Sequence, residues 1–332
     1  MRNIFLYLFT FFLLLPFFFI NYRLTAFHTF PFDNYYDYVL CLDGKKDMSV
    51  LGAPSGYRFI HYGTAFVFYK LLPLVPLSKL DVTGKVEEIR ALQALAFTSF
   101  LFLHAFFFTV FLLLRNRLRR SVSESVGIAA VSLLFALHAY PHGVDPLYLF
   151  YTILCLYFVQ NARVLYPLLL FSPVVNEKIA LVFGVFFFGI LWFESDRRRA
   201  AIPFLISVAS FGLYLLIRKF VNLPVGIYGY QTDITQFWVR VQLSWPILLS
   251  LKGFYTDWLP LLLILSVAGL GWKHGVFQKQ QIYYHPAIIV IPLFLFILGV
   301  FACSDYGIGR LVMHALPFYV ATLGLLLERM ND

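Results

Sequence analysis

Residues 164–193 read VLYPLLLFSPVVNEKIALVFGVFFFGILWF, and this stretch decides the fold class. Its only charged side chains, Glu177 and Lys178, stand together after Pro173 and Asn176, at a break between the apolar runs 164–175 and 179–193. Both runs are short for a hydrocarbon core of ~30 Å, which takes ~20 helical residues. Short, proline-broken helices at membrane depth are tolerated where they are buried in protein or line a wet cavity. The stretch therefore predicts a helical membrane protein with a break that faces inward.

The rest of the chain extends the pattern. Of 332 residues, 61% are hydrophobic and only 13% charged, too much apolar surface for a water-soluble protein of this size to hide. Ten apolar stretches predict spans at 4–20, 91–114, 124–140, 147–161, 164–175, 179–193, 201–217, 255–271, 284–302 and 311–327. The expected fold is all-α, a polytopic transmembrane helical bundle forming a single domain over 1–332. Aromatic residues, 20% of the chain, suit lipid-facing surface and interfacial belts. Residues 1–20 read as a retained signal anchor, since Asn21-Tyr22-Arg23 follows where a small-residue cleavage site would stand.

Charge sets the orientation. The basic clusters Arg115, Arg117, Arg119 and Arg120, then Arg197–Arg199, then Lys273 and Lys279, alternate with acidic or mixed junctions. Cytoplasmic placement of the clusters puts both termini in the cytoplasm and requires an even number of spans. Segment 59–77 is then an interfacial or re-entrant helix within a first extracytoplasmic region, 21–90, because Lys70, Pro73 and Pro76 weaken it as a span. Residues 218–254 form a second outer loop. The net charge of +9 is spread over interhelical clusters, so it does not point to nucleic acid. Cys41, Cys155 and Cys303 have no metal-binding spacing and form no framework.

The junctions on the outer side hold the candidate chemistry. Asp33 and Asp37 stand at i,i+4 and, on a helix, share a face, where they serve as a general base or metal ligand, or simply as loop acids. Arg58 and His61 open the apolar segment at i,i+3, suited to a phosphate contact or to snorkelling of Arg58. Asp145, before Pro146, caps the following helix or belongs to the site. His142 neighbours it; with His138 it stands at i,i+4, but Pro141 disrupts the register and no third ligand follows, so no metal site is assigned. Glu177 and Lys178 either pair with each other or face a polar cavity, and ionisable residues at such depth are functional candidates. Asp305 and Arg310, before the last span, pair or hold an anion. His104 and His314, single histidines within spans, read as packing or hydrogen-bonding residues. Walker, Rossmann, serine-elbow and zinc-protease motifs are absent.

In order along the chain, the Asp- and Tyr-rich stretch Asp33–Tyr38, the Gly-Tyr-Arg-Phe-Ile-His run 56–61, Val144-Asp145-Pro146, Asn176-Glu177-Lys178 and the late Asp305…Arg310 resemble the GT-C-type integral membrane glycosyltransferases, especially their bacterial branch. The resemblance covers most of the chain. It implies sugar transfer from a polyprenyl-phosphate-linked donor to a glycan or lipid acceptor on the extracytoplasmic face of a bacterial inner or plasma membrane. It also implies a catalytic base in the first outer loop, Asp33 by position and Asp37 next. Arg58, His61, His142, Asp145, Glu177, Lys178, Asp305 and Arg310 would then line the substrate. The chain departs from the family pattern in having no adjacent Asp-Asp or Asp-Glu pair and no soluble domain after the last span. No cofactor is required by these residues, although a divalent cation is compatible with the acids.

Two other classes stand beside this one. A cell-surface polysaccharide polymerase or ligase shares the donor chemistry and joins longer glycans. A lipid or solute transporter calls for inverted repeats and ionisable residues at the bilayer midplane, and the sequence carries neither.

Overall fold

The structure, a computed structural model, describes residues 4, 6–16, 35–47, 58–71, 86–136, 145–193, 198–221, 237–279, 282–302 and 308–331. Among these residues every regular element is helical and none is a strand. In chain order the helices are α1 (Leu6–Pro16), α2 (Tyr35–Leu42), α3 (Phe59–Leu71), α4 (Val86–Leu112), α5 (Val122–Ala136), α6 (Asp145–Tyr157), α7 (Ala162–Val175) and α8 (Glu177–Phe193). They continue with α9 (Arg198–Val221), α10 (Phe237–Leu248), the short α11 (Leu251–Gly253), α12 (Leu259–Lys273), α13 (Val290–Ala302), α14 (Ile308–Val312) and α15 (Leu316–Asn331). A π-turn, Leu113–Arg117, extends α4, and a second, Phe254–Trp258, joins α11 to α12. A 3-10 turn at Met313–Ala315 makes α14 and α15 one rod.

Five rods are long and apolar enough to cross a membrane: Val86–Arg117, Ala200–Val221, Leu251–Lys273, Ile282–Val300 and Ile308–Leu327. They mark the chain as an integral membrane protein. A helix stands at each of the other expected spans as well, but these are shorter. The 14 residues of α7 rise only ~21 Å at ~1.5 Å each.

Helix α4 runs through the middle, packed against α2, α3, α5 and α6. Its His104, fully buried, meets Thr10 Oγ1 of α1 at 2.9 Å, the hydrogen-bonding role expected of a histidine inside a span. The other packing centre is α8, where Phe183 and Phe186 meet Phe318 of α15 with ring centroids 5.4 and 5.2 Å apart, and Phe187 packs on both at 6.0 and 5.2 Å. Lipid tails are as apolar as this core, so helix association rests on close packing and internal hydrogen bonds rather than on exclusion of water.

The break between α7 and α8 has a local cause and a local remedy. Pro173 has no N–H and leaves the carbonyl of Leu169 without its helical donor. Ser172 Oγ donates to that oxygen at 2.8 Å, and Ser210 Oγ of α9 reaches it at 2.9 Å. Three residues on, Asn176 takes extended angles (φ −165°, ψ 124°), which ends α7. Its Oδ1 accepts from Lys178 N at 3.1 Å, the N-cap bond that starts α8. One asparagine thus ends one helix and opens the next, and the two charged residues fall in the first turn of α8.

The two ends of the bundle differ in chemistry. At one end the Arg117 guanidinium lies 4.9 Å from the Tyr157 ring, beside the last turn of α6. A capping box formed by Ser121 and Glu124, with Ser121 N donating to Glu124 Oε2 at 2.9 Å and Glu124 N to Ser121 Oγ at 3.2 Å, starts α5 at this end. At the other end of α6, ~18 Å away at ~1.5 Å per residue, stands Asp145.

Helix α3 packs on α2, α4 and α7, so the described part of segment 59–77 is a helix against the bundle. Tyr62 stacks on Tyr38 of α2, with centroids 4.4 Å apart and planes at 10°. Just after α2, Lys45 Nζ lies 3.0 Å from Asp43, 2.7 Å from Glu87 of α4 and 3.0 Å from the Tyr69 hydroxyl of α3, while Lys70 of α3 also binds Asp43. This clamp fastens α2 to both neighbours.

Candidate functional site

Four chain segments bring ionisable side chains together at the Asp145 end of the bundle. The helix α8 contributes Glu177 and Lys178 in its first turn, α6 contributes Asp145 as its first residue, α14 contributes Arg310, and Arg58 stands immediately before α3. Each acid is engaged by an arginine from another segment. Arg58 Nη2 donates to Glu177 Oε1 at 2.7 Å and Arg58 Nε to Oε2 at 3.2 Å, a two-pronged contact between side chains 7% and 11% exposed. Arg310 Nε lies 3.3 Å from Asp145 Oδ2, and His314 Nε2 lies 3.1 Å from Asp145 Oδ1.

Lys178, beside Glu177 on α8, is within electrostatic reach of both pairs. The charges that act on its ammonium are those of Arg58, Asp145, Glu177 and Arg310. Among the described residues the ammonium makes no ion pair or hydrogen bond, and the residue is partly exposed. Three cations face two carboxylates, so with His314 neutral the cluster carries one net positive charge. A charge withdrawn from water is costly unless matched. Glu177 and Asp145 match the arginines, and Lys178 is the cation left over.

This arrangement changes several expectations. Glu177 takes Arg58 rather than its neighbour Lys178 as partner. Arg58, expected either to bind an anion or to snorkel, is only 5% exposed and held by Glu177. Asp145 begins a helix, as a cap would, yet its carboxylate is occupied by Arg310 of α14 and His314 of the 3-10 turn that follows. The helix end therefore serves to present a carboxylate to another segment. His314, expected to be a packing or hydrogen-bonding residue, stacks on Tyr148 with ring centroids 4.0 Å apart and also reaches Asp145, which brings it to the cluster. The signal for it was its spacing: His314 follows Arg310 by four residues, which puts both on one helix face.

The remaining candidates lie elsewhere. His61 is fully buried and faces Tyr62 and Phe102, with centroids 5.4 and 6.2 Å away. Asp37 on α2 is 5% exposed and receives Lys46 Nζ at 2.8 Å. Asp33, His142 and Asp305 lie outside the described residues, as does Cys303. No three His, Cys, Asp or Glu side chains gather around a possible metal position among the described residues. A cavity lined by Leu156, Tyr283 and Phe318 lies at the basic end and is almost wholly apolar.

The cluster is suited to holding an anion. Two arginines are held by acids from other segments, and a lysine within electrostatic reach of both has donors to spare. The same ion pairing makes Asp145 and Glu177 poor bases, since their lone pairs are already committed. Compared with protein-family models, with curated proteins and with solved structures, the chain matches none.

Proposed function

We propose that this protein is a membrane glycosyltransferase of GT-C type that moves a sugar from a polyprenyl-phosphate donor to a glycan or lipid acceptor. The observation that carries the reading is the Lys178 ammonium, within electrostatic reach of two arginine–carboxylate pairs in a cluster with one excess positive charge. A phosphate ester at the membrane edge has the complementary charge, and its departure concentrates negative charge where Lys178 and the outer side of Arg310 stand.

In this reading the chain crosses the membrane ten times with both termini cytoplasmic, α3 lies at the outer interface, and the cluster faces out. A carboxylate of the first outer region takes the proton of the acceptor hydroxyl. The acceptor oxygen then bonds to the anomeric carbon as the bond from that carbon to the phosphate oxygen breaks. The lipid phosphate leaves with the electron pair, and the single displacement inverts the anomeric centre. Asp37 is bound by Lys46, which leaves Asp33 as the first choice for the base.

Purified protein in nanodiscs, given a polyprenyl-phosphate-linked radiolabelled sugar, tests the reading. K178M should cut transfer at least about 100-fold, roughly the weight of one oxyanion-stabilising donor, and leave the protein folded. Unchanged product from the D33N/D37N double variant would sink the proposal.

A further inference from the structure

The π-turn at Phe254–Trp258 contains Asp257, an acid that sits in an apolar segment and is fully buried. Its Oδ1 accepts the Gly309 N–H at 3.0 Å. Gly309 packs so closely on the turn that a Cβ there would lie 1.9 Å from the Thr256 carbonyl oxygen and 2.9 Å from Asp257 Cα. The next residue is Arg310, whose Nε meets Asp145. A π-turn adds a residue to a helix and re-aims the side chains around it, a distortion found mostly at functional sites. An ionisable group withdrawn from water in a membrane protein is likewise a functional candidate.

We infer that Asp257 is a positioning residue: by binding the Gly309 amide it fixes the start of α14 and so aims the Arg310 guanidinium at the anion site beside Lys178. The inference rests on the anion-binding reading of that cluster for its purpose, but the mechanical coupling of Asp257 to Arg310 stands apart from it. Glycine at 309 is explained by the same contact, because no larger residue lets the helix start come within hydrogen-bonding reach of the buried carboxylate. The acceptor oxygen is what matters, so asparagine should serve in its place and alanine should not.

The full chain in nanodiscs provides two independent measurements. The first is amide exchange in the peptide 308–312, which needs no ligand: D257A should speed it at least tenfold, and D257N should leave it within threefold of the parent. The second is affinity for a C55 polyprenyl phosphate. D257A should weaken binding about as much as R310A, at least tenfold, and the D257A/R310A double should bind no worse than R310A alone. A general loss of structure would instead add to the effect of R310A and would not be restored by D257N. If the parent protein does not bind the lipid phosphate, the functional reading fails while the exchange result still decides the coupling. Unchanged exchange in D257A, or additive losses in the double variant, overturn the inference. Should D257A not fold, D257N decides alone: parent-like exchange supports the acceptor role, and accelerated exchange overturns it.

Discussion

Arg58 and Glu177, 119 residues apart in sequence, form a two-pronged buried ion pair, with Nη2–Oε1 at 2.7 Å and Nε–Oε2 at 3.2 Å. The contact ties the residue that leads into α3 to the first turn of α8. It also brings Arg58 into the cluster.

Removing one partner strands the other. E177A should lower stability by about 3–5 kcal/mol, the usual result of breaking a buried pair. The double variant R58M/E177M should recover most of that loss, because neither charge is then left without a partner. Thermal denaturation in detergent micelles measures both; equal losses in E177A and the double variant would show that the pair contributes packing rather than charge matching.

Ser210 should matter only because Pro173 does. The hydroxyl serves a carbonyl that proline deprives of its helical donor. S210A should therefore cost about 1 kcal/mol in the parent protein and almost nothing in a P173A background, where the restored N–H bonds Leu169. Equal costs in the two backgrounds contradict the account.

The clamp beside α2 carries a pH signature. Lys70 and then Lys45 hold the Asp43 carboxyl below its ordinary range, so its contribution to stability is present above the unfolded value of about 3.9 and is lost as pH falls through the depressed folded value. Glu87, Tyr69 and Asp43 raise Lys45, whose contribution is present below about 10.4 and is lost as pH rises through its folded value. The melting-temperature difference between the parent and D43N should thus be constant near neutrality, begin to shrink below about pH 3.9 and vanish only below the depressed folded value. A difference that persists unchanged at pH 3 would show that Asp43 stabilises by packing.

Orientation has its own test. With the Asp145 end facing out, a membrane-impermeant thiol reagent should label K46C and D305C from outside and leave L118C and R198C untouched. External labelling of L118C would reverse the bundle and put the cluster in the cytoplasm.

Much of the architecture is legible in the chain. Apolar runs separated by Arg clusters give helices, because a backbone in lipid has to satisfy its own hydrogen bonds. The break at 173–178 is readable from Pro173 and Asn176, whose chemistry is local. That Asp145, Glu177, Lys178 and Arg310 share one end follows from counting spans, since helix polarity alternates with each crossing.

What the chain does not disclose is who pairs with whom. In sequence, Glu177 stands beside Lys178; in the structure, Glu177 holds Arg58, and Arg310 reaches Asp145, 165 positions earlier in the chain. Adjacent residues on a helix point about 100° apart, so Glu177 and Lys178 diverge and each meets what the neighbouring helices present. His314 is marked only by its four-residue spacing from Arg310, and Asp257 carries no outward mark, because only the π-turn brings it to Gly309. The sequence by itself determined a helical membrane protein with a charged end, through local rules of hydrogen bonding and hydrophobicity. The tertiary structure alone decided that two carboxylates are consumed in holding arginines and that Lys178 remains, because matching of buried charges is settled between helices and not along them.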